Sequence, residues 1–167
     1  MTVKAISATI LLGAIPLHVY QLPDGGYKVD AIGVMGAVDK NGNALTKFLT
    51  GKSALALPFN GYNFTQAPSI PVEGNAQFIK PIPIALATAY WLNEATKGNV
   101  KAIALVQASM AESIERRADV VFNLKRTESE YNLRFGKFFE SVMSENRQEV
   151  IERRLPGDDL YLPEGIN

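Results

Sequence analysis

Cysteine is absent from this chain of 167 residues, and histidine occurs once, at His18. The missing cysteine excludes disulfide scaffolds, thiol nucleophiles and zinc sites with cysteine ligands. His18 lies in an apolar segment with no nucleophile motif beside it, so we expect it to have a structural role. This composition predicts a protein with no catalytic residues and no cofactor.

Charge of one sign is not in excess either, because 17 Lys and Arg balance 17 Asp and Glu. No global electrostatic field is therefore directed at a nucleic acid, a membrane or another polyanion. The apolar stretch from Ala5 to Leu17 is too short to span a bilayer. It has two interpretations, the hydrophobic region of a secretory signal or a buried strand, and the hairpin that follows favours the strand. We expect a cytoplasmic protein with no membrane partner.

Turn signals and residue spacing divide the chain into two halves. Residues 1–83 hold most of the glycine, proline and β-branched clusters, which predicts mixed, hairpin-rich structure. Residues 84–155 have no proline and space their apolar residues at helical intervals. The expected fold class is α+β, with an N-terminal β-hairpin and helix-turn-helix-like domain, a mainly α-helical C-terminal half, and a polar tail over 156–167.

Two hairpins are expected in the first half. The first joins residues 17–22 and 27–29 around a Pro-Asp-Gly-Gly turn, in which glycine supplies a positive φ. The second joins residues 70–72 and 76–79, and the prolines of residues 81–83 are expected to stop its last strand.

A pair of short helices is expected between these hairpins. Asp30 is expected to cap a helix over residues 31–38, and Asn43 a second helix. The apolar residues of the second helix are Leu45, Phe48 and Leu49. The spacing of the two helices predicts a helix-turn-helix.

Three longer helices are expected in the second half. The first covers residues 83–98, Asn99 caps the second, and Thr127 with Glu130 forms a capping box that begins the third, which runs to about Arg154. The second helix carries an apolar stripe of five residues: Ile103, Val106, Met110, Ile114 and Val121.

The residues with the most specific chemistry surround the second short helix. They are Lys40, Asn41, Asn43, Thr46, Lys47, Lys52 and Ser53. Lysine contacts phosphates or guanine edges, asparagine reads adenine, and a helix N-terminus favours an anionic oxygen. All seven arginines lie between Arg116 and Arg154, so base contacts in the first half depend on other side chains. The pattern predicts a duplex DNA interface, and the alternative is a polar helix face with capping asparagines.

An aromatic stripe on the third long helix predicts self-association. Its members are Tyr131, Phe135, Phe138 and Val142. The stripe exceeds what a single small domain needs to close its own core. We expect a homo-oligomer formed through residues 127–154, although packing against residues 84–122 of the same chain fits the amphipathic pattern equally well.

Three carboxylates, Glu112, Glu115 and Asp119, share one face of the preceding helix. Such a group could bind a divalent cation. Arg116 and Arg117 interleave with the carboxylates, which is typical of a solvent-exposed face with many salt bridges. We therefore expect an exposed face and no metal site.

The order of these elements resembles the N-terminal DNA-binding domains of phage and large-virus antirepressors of the BRO and KilA-N type. The similarity lies in the hairpin from Leu17 to Val29 and the helical pair that ends in Lys47-Phe48-Leu49, over about residues 15–90. Tyr27 stands where that family typically has Trp or Phe. The resemblance implies a DNA-binding regulator of transcription, of phage or prophage origin and commonly oligomeric.

We therefore expect a non-enzymatic, antirepressor-like DNA-binding regulator that self-associates. The first alternative is a helical protein interaction or oligomeric scaffold module that binds no DNA. The second alternative is a metal-dependent nuclease that uses Glu112, Glu115 and Asp119.

Overall fold

The computed structural model describes residues 4–75 and 78–152, with side chains described as far as Glu145. It has an N-terminal antiparallel sheet and a helical C-terminal half, which confirms the α+β expectation. The polar tail expected over 156–167 lies outside the described residues.

The strands and helices have the following bounds. The strands are β1 (Ile6–Leu12), β2 (Ile15–Gln21), β3 (Tyr27–Asp30), β4 (Ile70–Pro71), β5 (Phe78–Ile79) and β6 (Pro81–Pro83). The helices are α1 (Ala31–Gly36), α2 (Ala44–Thr50), α3 (Ile84–Thr96), α4 (Val100–Val121) and α5 (Glu128–Glu152), and a 3₁₀ helix covers Ala54–Phe59. Strands β1, β2, β3 and β6 form one antiparallel sheet in that order, and β4 pairs with β5 in a second.

The expected first hairpin is confirmed as β2 and β3. The backbone N–H of Leu22 donates to the carbonyl of Gly26 at 2.8 Å, and the N–H of Gly26 donates to Oδ1 of Asp24 at 2.8 Å. Gly25 has a φ of +86°, which glycine adopts without steric cost. The second hairpin is also found, with Ile70 opposite Ile79.

The expectation of one buried strand over residues 5–17 is wrong. The segment folds back on itself at Gly13 and forms two strands, of which β1 lies at the edge of the sheet and is mostly exposed. Gly13 permits this turn because it has a φ of +60° and packs against the ring of Phe139. Apolar composition alone does not distinguish a buried strand from an edge strand.

The prolines expected to stop a strand instead lie inside β6. This strand is at the other edge of the sheet, where a missing N–H costs little. Ile82, between the two prolines, pairs with Val29 and is fully buried.

The two short helices are present, but a helix-turn-helix is not confirmed. Neither Asp30 nor Asn43 makes the expected side-chain cap. Oδ1 of Asp30 instead accepts a hydrogen bond from the N–H of Lys80 at 3.2 Å, which ties the end of β3 to the start of β6.

The predicted boundaries of the long helices are confirmed where the structure describes them. Gly98 ends the α3 region with a φ of +85°, and Oδ1 of Asn99 accepts from the N–H of Ala102 at 3.0 Å to begin α4. Thr127 and Glu130 form the expected reciprocal capping box at the start of α5.

The main hydrophobic cluster contains residues from both halves of the chain. Nε1 of Trp91 in α3 donates to the carbonyl of Val34 in α1 at 2.8 Å, and Tyr90 packs edge-on against Phe48 in α2. Phe139 and Val142 of α5 belong to the same cluster. Helix α3 therefore joins the short helices to the long ones within one core.

We expect Gly13→Ala to destabilise the fold more than Gly25→Ala does. Both positions have a positive φ, which costs an alanine about 1–2 kcal/mol. At Gly13 a Cβ would also lie 2.8 Å from Cδ2 of Phe139, whereas at Gly25 it would meet nothing within 4 Å. Overpacking should add about 1–3 kcal/mol at Gly13. Urea unfolding of both variants measures the difference, and equal losses would contradict the close packing of this turn.

Candidate functional site

Helix α2 separates apolar and polar side chains as its sequence predicts. Leu45 and Phe48 are buried in the main cluster. Asn43, Thr46 and Lys47 are exposed. The helix therefore presents amide, hydroxyl and ammonium groups to solvent from a rigidly packed support.

The turn between α1 and α2 is held against the start of α4. Nδ2 of Asn99 donates to the carbonyl of Val38 at 2.9 Å, and Nζ of Lys101 lies 3.0 Å from Oδ1 of Asp39. The N–H of Lys40 donates to the carbonyl of Met35 at 2.9 Å. These contacts fix the backbone from which the polar residues of the turn extend.

The lysines of this surface differ in their ion pairing. Nζ of Lys40 lies 3.9 Å from Oε2 of Glu94, a long contact that leaves Lys40 half-exposed. Lys47 and Lys52 make no ion pair within the part of the chain that the structure describes. Positive charge is thus left uncompensated beside α2.

Six of the seven residues predicted to bind DNA have exposed side chains. These are Lys40, Asn41, Asn43, Thr46, Lys47 and Lys52. Ser53 differs, because it is half-buried and its Oγ accepts from the N–H of Leu55 at 3.2 Å to cap the 3₁₀ helix. Ser53 thus serves the local fold. We refer to the six exposed residues as the α2 surface.

The side chains of the aromatic stripe of α5 pack against other residues of the same chain. Tyr131, Phe135 and Val142 are buried and Phe138 is half-buried, while the neighbouring Phe139 enters the main cluster. As they stand, these side chains do not form a free surface for a second copy. The structure therefore corresponds to the alternative in which the stripe packs against its own chain.

Charged and polar groups form much of the contact between α4 and α5. Glu115 accepts two hydrogen bonds from Arg134, at 2.6 and 2.7 Å. One turn further along α4, Oδ2 of the buried Asp119 accepts from the hydroxyl of Tyr131 at 2.7 Å. Arg126 lies 3.5 Å from both carboxylates. Each carboxylate is thus compensated by a group on α5 or on the loop before it.

Arg116 connects this interface to the start of α5. Its guanidinium lies 4.0 Å from the ring centroid of Tyr131, a cation–π contact. It also donates to Glu112 at 2.7 Å and to both oxygens of Glu128, at 2.7 and 3.0 Å. The guanidinium therefore forms ion pairs with two carboxylates while covering an aromatic ring.

The expectation that the three carboxylates lie on a solvent-exposed face is wrong. The side chains of Glu112 and Asp119 are largely buried, and Glu115 is mostly covered. All three are paired with arginine, so their charge is already compensated. Among residues 4–75 and 78–152, no group of three acidic or histidine side chains is placed to hold a metal ion.

Two side chains at this interface have shifted pKa values with clear causes. The hydrogen bond to Asp119, together with burial, raises the pKa of Tyr131. The hydrogen bonds from Arg116 lower the pKa of Glu128.

Only the first part of the apolar stripe on α4 faces the core. Ile103 and Val106 pack against the main cluster, whereas Met110, Ile114 and Val121 are exposed. The carboxylate face of α4 meets α5, and the signal for this in the sequence was the positive charge on α5 that complements these carboxylates, above all Arg134.

Comparison with family models, curated proteins and solved structures finds no significant match to this chain. None of the helices in the described part of the chain is both long enough and apolar enough to cross a bilayer.

We expect Tyr131→Phe to unfold at a lower urea concentration than the wild type. The substitution removes the 2.7 Å hydrogen bond to the buried Asp119 and leaves the carboxylate its longer contact with Arg126, and a buried acceptor that loses a hydrogen bond is costly. Tyr27→Phe is the matched control, because the Tyr27 ring is exposed and its hydroxyl makes one long contact of 3.4 Å. Equal midpoints for the two variants would contradict the role given to the Asp119 hydrogen bond.

Acid is expected to weaken the α4–α5 contact in part through Glu128. Because its pKa is lowered in the fold, the stabilisation from Glu128 is present above its ordinary pKa of about 4.5 and is lost as the pH falls through the lowered value. Glu128→Gln should therefore be less stable than the wild type at pH 7, and the difference should shrink by pH 3. Urea unfolding at both pH values measures this, and a difference that is independent of pH would contradict it.

Proposed function

We propose that this protein binds duplex DNA through the α2 surface and acts as a non-enzymatic regulator. The observation that carries the proposal is the uncompensated charge of Lys47 and Lys52 beside the exposed amide and hydroxyl groups of α2. Lysine neutralises phosphates, and amide side chains can read base edges. These chemistries occur together on one short helix and the residues next to it.

The rigidity of the turn supports the same interpretation. Asn99 and Lys101 of α4 hold the backbone at Val38 and Asp39, so the polar residues start from a defined position. A surface that is already ordered loses less conformational entropy on binding. Since two unpaired lysines carry most of the charge, we expect modest affinity whose logarithm falls with the logarithm of salt concentration with a slope of about −2.

A role in transcription, of the antirepressor type, is the finer part of this proposal. The hairpin β2–β3 followed directly by α1 and α2 has the order that suggested the BRO and KilA-N resemblance. A regulator needs no catalytic group, and each of the three carboxylates considered for a nuclease is paired with arginine.

The proposal predicts that Lys47→Ala combined with Lys52→Ala weakens DNA binding at least about tenfold at low salt. If both lysines contact phosphates, the slope of log affinity against log salt concentration should also fall in magnitude by about 2. Fluorescence anisotropy with a pooled set of labelled 30-base-pair duplexes measures both quantities.

The matched control is the double variant of Lys125→Ala and Lys137→Ala. These lysines are also exposed but belong to the helical half, and their removal changes the net charge by the same amount. If the control loses as much affinity as the α2 variant, or if the wild type binds no duplex at low salt, the proposal is wrong. Circular dichroism establishes that both variants remain folded.

A further inference from the structure

The distal half of α4 has two faces of opposite character. Glu112 and Asp119 face α5, and Ile114 lies about 200° and about 140° around the helix from them. Ile114 is therefore on the side of α4 away from α5, and it is 61% exposed. Because α5 takes the charged face, the apolar face is left uncovered.

The uncovered face continues the hydrophobic core outward along α4. Ile103 and Val106, at the start of the stripe, pack against the main cluster. Met110, one turn after Val106, is 62% exposed, and beyond Ser109 the only buried residue of α4 is Asp119. The stripe thus remains apolar along α4, although its first residues are packed against the core and its later residues are exposed to solvent.

Large apolar residues also surround the end of this helix. Together with Met110 and Ile114 they form the apolar patch, which consists of Met110, Ile114, Val120, Val121, Phe122 and Leu124. From their exposed fractions these side chains present roughly 700 Å², above the 300–600 Å² of the largest patch on a typical monomer. An apolar surface of this size marks an interaction site.

We propose that the apolar patch binds the same patch of a second copy, with the two α4 helices antiparallel across a two-fold axis. Roughly 700 Å² on each copy approaches the ~800 Å² that one partner contributes to an interface of standard size. In a two-fold contact the same residues supply both sides, so one patch suffices.

The spacing of the stripe fits this geometry. Met110, Ile114, Arg117 and Val121 occur at intervals of four, three and four residues, which read the same in both directions. In an antiparallel pair Met110 then meets Val121 of the second copy, and Ile114 meets Arg117. Arg117 is the one charged residue among these four, and in the dimer its aliphatic stem covers Ile114 of the second copy while the guanidinium reaches water.

A second copy covers more of this surface than a bilayer would. A bilayer would contact the connection between α4 and α5, where the exposed Glu128 and Glu130 lie close to Phe122 in the chain. It would leave Met110 and Ile114, three and two turns before the end of α4, in water. The antiparallel pair covers both regions.

Sedimentation velocity of the full chain, without nucleic acid, tests the proposal. We expect a concentration-dependent dimer between about 1 and 200 μM, and Ile114→Glu should weaken association by at least about tenfold because it places a carboxylate in the contact. Leu133→Glu is the matched control, because Leu133 is 62% exposed on α5 and does not belong to the patch. The control should associate as the wild type does.

Three results would overturn the proposal. They are a wild type that stays monomeric at about 200 μM, equal disruption by both glutamate variants, and a monomer that co-sediments with phosphatidylglycerol vesicles through Phe122. Met110→Ser provides a milder change, with weaker association expected, if circular dichroism finds Ile114→Glu unfolded. Failure of this test leaves DNA binding by the α2 surface to its own measurement, since the two surfaces share no residue.

Discussion

The hydrogen-bonded ion pair between Glu115 and Arg134 determines which side of α4 meets α5. The bond from Tyr131 to Asp119 continues this contact one turn further along the helix. Buried carboxylates are costly unless they are paired, so these groups strongly restrict the rotation of α4 about its own axis. Because the charged face of α4 packs against α5, the apolar residues around Ile114 face the solvent.

Helix α4 also links the two surfaces to which we assign functions. At its N-terminus Asn99 and Lys101 hold the turn before α2, and at its other end it carries the apolar patch. Phe139 of α5 packs on Gly13 in the β1–β2 turn, so the helices are joined to the sheet as well. The α2 surface and the apolar patch are therefore parts of one packed framework.

Features that depend on neighbouring residues were predictable from the sequence. The capping box of Thr127 and Glu130, the turn at Gly25 and the two sides of α2 each follow from a few adjacent residues. The exposure of β1 and the prolines within β6 depend on strand order, which local pattern does not contain. The orientation of α4 depends on partners on another helix, and the mixed charges of its carboxylate face alone indicated that this face is exposed to solvent.

The orientation of α4 is the central claim, and the absence of cysteine allows a direct test of it by thiol labelling. Two single-cysteine variants, Ile114→Cys and Ala108→Cys, place a thiol on the exposed face and at a fully buried position of α4. In folded protein at about 1 μM, where association is least, we expect a thiol reagent to modify residue 114 at close to the rate for unfolded chain. Residue 108 should react far more slowly. Strong protection at residue 114 under these conditions would contradict the account.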